Sequence, residues 1–306
     1  MSSKVLVLGA NGFIGKNLIK QLLRDGYFIR AFDNAFVDSE YAGVDNIETI
    51  QGDFLNKSDL DSVLSNIDYV YHLVSTTTPI SAENDPIVDI ETNITGSVQL
   101  FQECIRNGVK KIIFPSSGGT VYGENKDISV YKETDLTNPL SPYGIGKVTI
   151  ENYLRYFYRK FGLDYTVFRI ANPYGSGQSL HKKQGVIPIF MNKILDGEKV
   201  GVLGDGSMVR DYIFIDDVTS ILSRSIDRSL KYHIYNLGSG NGSSVIDILK
   251  AIEKATGKTA RVEYQPQPKT FVQKNILDTT RLMREFPDFK PIDLTNGIQR
   301  FYDSIQ

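Results

Sequence analysis

Short apolar runs alternate with longer amphipathic segments along the first 170 residues of the chain. The runs are rich in β-branched and aromatic residues, as buried strands are, and they lie at 4–8, 28–32, 47–51, 69–73, 111–115 and 165–170. Helical patterns fill the intervals, most clearly at 13–23, 89–107 and 143–161. Strands that alternate with helices in this way predict an α/β fold, in which helices cover both faces of a doubly wound parallel sheet.

This alternation changes after residue 172. A loop rich in glycine, serine and glutamine spans 174–185, a helical pattern follows at 188–195, and a Gly-Asp-Gly turn lies at 204–206. The segment 232–237 is predicted to form one more strand of the main sheet. We therefore predict a larger domain from residues 1–172 with about 211–240, and a smaller α+β substrate domain from about 173–210 and 241–306.

Three glycines follow the first predicted strand, within KVLVLGANGFIG, and a helix begins at Phe13 and Ile14. Gly9 permits a tight turn, Gly12 lets a pyrophosphate touch the backbone, and Gly15 lets the helix pack close to the sheet. The amino end of that helix offers unpaired N–H groups to the phosphates. The motif predicts a Rossmann-type dinucleotide-binding sheet.

Asp33 ends the second predicted strand and is followed by Asn34. A carboxylate roughly 20 residues beyond the glycines is placed to accept a hydrogen bond from a ribose 2′-hydroxyl. The same charge repels a 2′-phosphate, so we expect NAD rather than NADP. The alternative is a solvated strand-end turn formed by Asp33 and Asn34.

Composition limits the partners of the chain. Its 306 residues include 34 Lys and Arg against 36 Asp and Glu, so no broad positive field favours a nucleic acid or an anionic membrane. The single cysteine, Cys104, lies in an apolar helical pattern and is expected to be a buried thiol in a reducing compartment. Without an apolar targeting segment or a run of about 20 apolar residues, we expect a cytoplasmic protein.

The histidines and carboxylates show no metal-binding spacing, so no metal is expected. None of the three histidines is assigned to catalysis. His72, at the end of the fourth strand, is interpreted as a packed residue rather than a proton carrier.

Two polar segments carry the candidate chemistry, PSSGGTVYG at 115–123 and SPYGIGK at 141–147. Tyr143 and Lys147 are four residues apart on a predicted helix, so they share one face, and the ammonium can stabilise a tyrosinate. Tyr143 is thus a candidate general base, although its ordinary pKa near 10 must be lowered for that role. Tyr156 and Lys160 repeat the spacing deeper in the helix, but only Tyr143 lies at the helix entrance, near the carboxyl ends of the strands. The alternative is that Tyr143 is a half-buried packing residue.

With these motifs the chain resembles the extended short-chain dehydrogenase/reductase superfamily. Within it, the chain most resembles the UDP-glucose 4-epimerases and related nucleotide-sugar epimerases of the NAD-dependent epimerase/dehydratase family. The resemblance extends nearly end to end and is carried by GANGFIG, Gly52-Asp53, Asn93-x-x-Gly96, SSGGTVYG, SPYGIGK, the NPYG of 172–175, the GDG of 204–206 and the VRDY of 209–212.

The resemblance implies bound NAD and a set of contacting residues. Asp53 would bond the adenine, and Asn93 would lie near the cofactor and the catalytic helix. The full cofactor set is Gly9, Gly12, Phe13, Ile14, Gly15, Asp33, Asn34, Asp53, Phe54, Leu73, Asn93, Ser116, Tyr143 and Lys147. Taken alone, Asp53 is better explained as a turn residue and Asn93 as a helix-interior amide.

A second set of residues is implied for the substrate, a nucleotide sugar. Asn172 would contact its phosphates and Arg210 would clamp the diphosphate, a role that suits a planar guanidinium. The set comprises Thr120, Asn172, Val186, Arg210 and Lys269. The alternatives are a strand-end cap for Asn172 and a surface ion pair for Arg210. Lys269 stands near the place of a family arginine, and a lysine lacks the bidentate fork.

The chain departs from the family pattern at Gly118, where many epimerases carry a serine that bonds the reacting O4 of the sugar. We expect Thr120 to supply the missing hydroxyl, with Ser117 as the next candidate. The acidic pair of the family's dehydratases is also absent, because Gly118 and Gly119 have no side chain for acid/base work. Dehydration is therefore not expected.

Together the motifs and the resemblance imply reversible inversion at C4 of a UDP-hexose through a 4-keto intermediate. Tyr143 would act as the base, Lys147 would tune it, and Thr120 would hold O4. The alternatives are a nucleotide-4-keto-sugar reductase, which uses the same Tyr and Lys, and a non-catalytic NAD-binding sensor. The resemblance also implies a homodimer with a four-helix interface built from 89–107 and 143–161.

Overall fold

The computed structural model describes residues 3–36, 41–125, 128, 130–180, 185–267 and 273–306. In chain order its elements are β1 Lys4–Leu8, α1 Phe13–Arg24, β2 Phe28–Asp33, β3 Ile47–Gln51, α2 Lys57–Leu64, β4 Tyr69–His72, α3 Pro79–Asn84, α4 Pro86–Val88, a π-helical turn Asp89–Ile94, α5 Thr95–Arg106, β5 Lys111–Ser117, β6 Val130–Tyr131, α6 Pro142–Phe161, β7 Asp164–Ile170, β8 Asn172–Tyr174, α7 Val186–Leu195, β9 Lys199–Leu203, β10 Val209–Phe214, α8 Ile215–Arg224, β11 Ile234–Leu237, β12 Gly242–Ser244, α9 Val245–Thr256, β13 Arg261–Gln265, β14 Lys274–Leu277, α10 Thr280–Glu285 and α11 Leu294–Asp303.

The chain divides into two compact units. The first comprises Met1–Val121, Thr137–Arg169 and Thr219–Tyr235, and the second comprises Tyr122–Leu136, Ile170–Val218 and Asn236–Gln306. The larger domain predicted from the sequence includes 122–136 and 211–218, which here belong to the second unit. Strand pairing accounts for this difference, because β6 pairs with β14 and β10 pairs with β8, β12 and β14.

The first unit is built on the predicted Rossmann-type sheet, which is confirmed. Its seven strands follow the order β11-β7-β5-β4-β1-β2-β3. Strand β1 lies centrally and pairs in parallel with β2 and β4, and its residues 5–8 are fully buried. A strand buried on both faces reads as a continuous apolar run, which explains the VLVL sequence. The predicted strand at 232–237 is β11, at the edge of this sheet.

The second unit contains a mixed five-stranded sheet. Four of its strands follow the order β12-β10-β14-β6, and β8 also pairs with β10. Strands β13 and β9 form a separate parallel pair. Together with α7, α9 and α11, these strands give the α+β character that the sequence predicts for the smaller domain.

Two features are not found within the described ranges. None of the helices there combines the length and the apolar character that crossing a bilayer requires. The same residues contain no group of three or more histidine, cysteine, aspartate or glutamate side chains arranged to hold a metal ion.

Candidate cofactor and catalytic site

The glycine turn between β1 and α1 has no room for a side chain at Gly9 or at Gly15. Gly9 has a φ of +83°, and a Cβ there would lie 3.0 Å from the backbone of Leu73 and of Val74. A Cβ on Gly15 would lie 2.2 Å from the carbonyl oxygen of Gly9. Helix α1 therefore packs directly against the turn, as a dinucleotide cradle requires.

The amino end of α1 is suited to an anion. Gly12 is its N-cap and makes no side-chain capping bond, and no acidic residue lies in the first turn, which contains Phe13 and Ile14. The N–H groups there are free of a competing carboxylate, and the helix dipole favours negative charge. The residues present thus fit the pyrophosphate of NAD.

Asp33 and the glycine turn are joined directly. The Oδ2 atom of Asp33 accepts a hydrogen bond from the backbone N–H of Asn11 at 2.9 Å, and the Asn11 amide donates to the carbonyl of Ala35 at 2.9 Å. Asn34 is exposed beside them. Asn11 was missed by the sequence analysis, and its only signal is a polar residue between the first two glycines of the motif.

Asp53 and Phe54 follow β3 in a turn. The Oδ1 atom of Asp53 accepts a hydrogen bond from the N–H of Leu55 at 2.9 Å, so this carboxylate stabilises the turn. This is the role of a turn residue, which is the alternative given above for Asp53. The ring of Phe54 is buried and stacks on His72 at 5.3 Å. Leu73 extends the pairing of β4, since its N–H donates to the carbonyl of Leu8 at 2.9 Å.

His72 is a packed residue in this structure. It is 1% exposed, and its Nε2 lies 2.7 Å from the hydroxyl of Ser97. The Ser97 hydroxyl donates to the carbonyl of Asn93 at 2.5 Å, so Nε2 of His72 must be the donor in its own bond. Burial lowers the pKa of His72 to about 3, with a smaller contribution from Lys147. His72 is therefore neutral at physiological pH.

Asn93 anchors the loop after β4 to the π-helical turn. Its Oδ1 accepts from the N–H of Thr76 at 2.9 Å, and its amide donates to Thr77 Oγ1 at 2.9 Å and to Asp89 Oδ1 at 3.0 Å. Asn93 is therefore more than a helix-interior amide, because it fixes a loop beside the glycine turn.

Tyr143 and Lys147 lie in the first two turns of α6. The helix begins there because Ser141 accepts from the N–H of Gly144 at 3.2 Å and Pro142 occupies the first helical position. The Lys147 ammonium is buried, lies 5.5 Å from the centre of the Tyr143 ring, and donates to the carbonyl of Pro115 at 3.3 Å. The two side chains share one face, as predicted.

The protein environment shifts both pKa values toward the neutral forms. Burial raises the pKa of Tyr143 to about 12, and the nearby charge of Asp89 adds to this. Burial lowers the pKa of Lys147 to about 8, although Asp89 and Glu151 oppose that shift. From the sequence, Lys147 together with the positive nicotinamide ring is expected to lower the pKa of Tyr143, whereas the chain by itself keeps Tyr143 a phenol because loss of solvent dominates.

The second Tyr/Lys pair differs in surroundings. Lys160 donates to the hydroxyl of Tyr156 at 3.0 Å, and both side chains are exposed on the outer face of α6. By contrast, Tyr143 and Lys147 line a small cavity together with Asp89, Asn93, Val74, Ser75, Gly146 and Ile150. This cavity supports the choice of Tyr143.

Thr120 carries an unused hydroxyl. Among the residues that the structure describes, its buried Oγ1 has no hydrogen-bond partner. The Ser116 hydroxyl, by comparison, donates to Glu151 at 2.6 Å, and Glu151 forms a buried ion pair with Arg169 at 2.7 Å. The carbonyl of Ser117 accepts from the N–H of Thr120 at 3.2 Å, so the two lie in one turn after β5. An unpartnered buried hydroxyl is costly and suits Thr120 to a ligand.

Two of the predicted substrate residues of the second unit, Arg210 and Asn172, lie on β10 and on its neighbour β8. Arg210 donates to the carbonyl of Val209 at 2.8 Å, and burial lowers its pKa. No carboxylate in the described part of the chain lies within ion-pair distance of Arg210. The amide of Asn172 donates to the carbonyl of Asp211 at 2.8 Å, and Val186 begins α7. Lys269 lies outside the described residues.

Asp211 is a further buried carboxylate next to Arg210. It accepts from the N–H and hydroxyl of Ser239 at 2.9 and 2.7 Å and from the N–H of Gly240 at 3.1 Å. Burial raises its pKa to about 6. These hydrogen bonds join the loop after β11 to β10, so the Asp211 side chain has a structural role.

Comparisons with known proteins identify the family and the fold of the chain. Residues 5–238 match the sequence model of the NAD dependent epimerase/dehydratase family. A dTDP-4-dehydro-6-deoxyglucose reductase of Escherichia coli is 34% identical over 99% of this chain and 97% of its own. The crystal structure of a Thermotoga maritima UDP-glucose 4-epimerase with UDP-glucose superposes with a TM-score of 0.91 at 34% identity, over 99% of this chain and 98% of its own. A Thermus thermophilus UDP-glucose 4-epimerase in complex with NAD gives a TM-score of 0.89 at 28% identity, over 98% of each chain.

Proposed function

Because the chain belongs to the NAD dependent epimerase/dehydratase family, we propose that it is a nucleotide-sugar 4-epimerase that inverts C4 of a UDP-linked hexose. One observation carries this proposal. Val74 lies against the glycine turn, at 3.0 Å from a Cβ built on Gly9, and also lines the cavity of Tyr143 and Lys147. The cradle for a dinucleotide and the candidate base are therefore neighbours in one unit.

When bound, NAD supplies the hydride acceptor and donor for C4 and the positive charge of its oxidised ring. Tyr143 first releases its own phenolic proton to solvent in the complex with NAD and substrate. The resulting tyrosinate then removes the proton from O4, and it returns that proton after the 4-keto sugar has turned so that its other face meets the nicotinamide. The Lys147 ammonium stabilises the tyrosinate before it takes the proton from O4 and again after it has returned that proton. Thr120 holds O4 through its buried hydroxyl.

In the second unit, Arg210 is proposed to bind the diphosphate of the sugar nucleotide. A half-buried guanidinium that has no carboxylate partner in the described ranges carries an uncompensated charge, which a diphosphate neutralises through bidentate hydrogen bonds. Asn172, beside it on β8, and Val186, at the start of α7, are proposed to contact the same substrate. Lys269 remains a proposed contact of the diphosphate.

The second candidate function is reduction of a nucleotide-linked 4-keto sugar. The Escherichia coli relative named as a reductase supports it, since it is as similar in sequence as the epimerase from Thermotoga maritima. The two functions differ in their need for added cofactor, because an epimerase returns the hydrogen to the carbon it came from. A reductase consumes one NADH or NADPH for each sugar.

The test is incubation of the purified protein with UDP-glucose, UDP-N-acetylglucosamine and UDP-glucuronate, with no cofactor added, and separation of C4 epimers by chromatography. We expect interconversion of at least one pair, and release of NAD when the protein is heated. A parallel incubation supplies a dTDP-linked 4-keto-6-deoxy sugar with NADH or NADPH. Cofactor consumption there, without interconversion in the first assay, would assign the reductase function instead.

We also propose that two copies of the chain associate through α6 and the helical segment 89–107. Large apolar side chains are exposed on both, including Ile90 at 49%, Tyr153 at 39% and Phe161 at 48%. Burying such residues against a second copy removes apolar area from water.

We therefore expect light scattering after size exclusion to give twice the mass of the chain. Ile90→Glu combined with Tyr153→Glu should give a monomer, because each places a charge in the proposed interface. Leu136→Glu is the matched control, since Leu136 is 85% exposed and lies outside both helices. A monomeric wild-type protein would exclude the interface.

A further inference from the structure

Asp89 is a buried carboxylate that the sequence analysis did not single out. It is 3% exposed, although Glu91, two residues later on the same π-helical turn, is exposed. Its Oδ1 atom accepts hydrogen bonds from the hydroxyl of Thr77 and from the amide of Asn93. Two donors from different segments therefore hold this carboxylate in one orientation.

The second oxygen of Asp89 lies against α6 between the two candidate catalytic residues. A Cβ built on Gly146 would be 2.5 Å from Oδ2, so any side chain at position 146 would displace the carboxylate. Gly146 lies three residues after Tyr143 and one before Lys147, and all four residues line the same small cavity. Glycine at position 146 thus allows the Asp89 carboxylate to lie against the part of α6 that contains Tyr143 and Lys147.

We propose that Asp89 is a positioning residue for proton transfer at Tyr143, whose fixed negative charge keeps the Lys147 ammonium charged and the Tyr143 phenol protonated until substrate is bound. The inference rests on the proposed epimerase function, which it deepens. The pKa shifts agree with the geometry, because Asp89 raises the pKa of Tyr143 and of Lys147.

Two other titratable groups near the pair differ from Asp89, although one of them, Glu151, also raises the pKa of Lys147. Glu151, four residues after Lys147, is paired with Arg169 at 2.7 Å and accepts from Ser116. His72, which Lys147 also influences, has a pKa of about 3 and carries no charge at neutral pH. Asp89 has no cation bonded to it in the described ranges, so its charge acts on Tyr143 and Lys147 without a competing ion pair.

The test is the titration of Tyr143 in the protein as purified. The chain is labelled with 3-fluorotyrosine, and the ¹⁹F resonance of residue 143 is assigned by its loss in Tyr143→Phe. In Asp89→Asn, which retains the oxygen that Thr77 and Asn93 bond, we expect the midpoint to fall by about one pH unit, since the charge that raises it is gone. The profile of kcat/KM against pH should move in the same direction.

Two matched variants separate charge from packing. Glu91→Gln removes a carboxylate from the exposed side of the same turn, and it should leave the midpoint unchanged. Thr77→Val removes a donor to Asp89 and keeps its charge, so it should move the midpoint less than Asp89→Asn does. Equal shifts in Thr77→Val and Asp89→Asn, or no shift in Asp89→Asn, would overturn the proposal. Failure of the wild-type protein to interconvert epimers, with the midpoint shift intact, would count against the proposed function alone.

Discussion

Replacing Tyr143 with phenylalanine is expected to lower kcat for epimerisation by about 10²–10⁴-fold, the usual contribution of a positioned acid/base group. The phenylalanine ring fills the same space, so the fold and the bound NAD should be retained, and only the hydroxyl that exchanges a proton with O4 is lost. The measurement is the initial rate of C4 interconversion, with NAD content determined on the same sample after heating.

Tyr156→Phe is the control for this variant. It makes the same chemical change in the same helix, and Tyr156 also pairs with a lysine four residues later, at 3.0 Å. Its side chain is 46% exposed, so its rate should match the wild type. A Tyr143→Phe protein that retains most of the activity would show that another group carries the proton.

Gly15→Ala is expected to remove bound NAD and to destabilise the first unit. The new methyl group would lie 2.2 Å from the carbonyl oxygen of Gly9 and 2.8 Å from that of Ala10, so α1 must move away from the turn. Overpacking of this kind costs about 1–3 kcal/mol when side chains yield, and backbone atoms yield less readily. We expect a lower Tm and a protein that purifies without nicotinamide.

Gly26→Ala separates this effect from backbone strain. Gly26 has a φ of +82°, and no described heavy atom would lie within 4 Å of an added methyl group, so alanine there strains only the local turn. It should lower Tm slightly and leave the NAD content unchanged. A Gly15→Ala protein with a full complement of NAD would contradict the assignment of the cradle.

Much of the sheet could be predicted because its strands are short, apolar and separated by helical patterns. The prediction ended β5 at Pro115, whereas the strand continues to Ser117. Pro115 lies two residues beyond Ile113, the last residue of β5 that pairs with β4, so its missing N–H costs no ladder bond on that side. The rule that a strand ends near a proline could not predict this, because the sequence does not show which residues of a strand pair with a neighbouring strand.

The candidate site was predictable where a residue type is demanded by its immediate neighbours in the chain. The glycines belong to this class, and so do Tyr143 and Lys147, which one helical turn brings together. Asp89 was missed because its burial depends on Thr77 and on Gly146, which are distant in sequence. In the run IVDIETNI it is indistinguishable from a solvated helix residue.

The bond between Asp33 and Asn11 has a consequence for redesign of the coenzyme preference. The Asp33 carboxylate has two effects. Its charge disfavours a 2′-phosphate, and its hydrogen bond to Asn11 holds the loop that binds the pyrophosphate. A substitution that deletes the Asp33 side chain relaxes the preference for NAD over NADP, but it also removes the hydrogen bond that holds the loop. We therefore expect such a variant to bind either coenzyme more weakly. A successful switch must leave an oxygen acceptor at position 33 and remove only its charge, and asparagine meets both conditions.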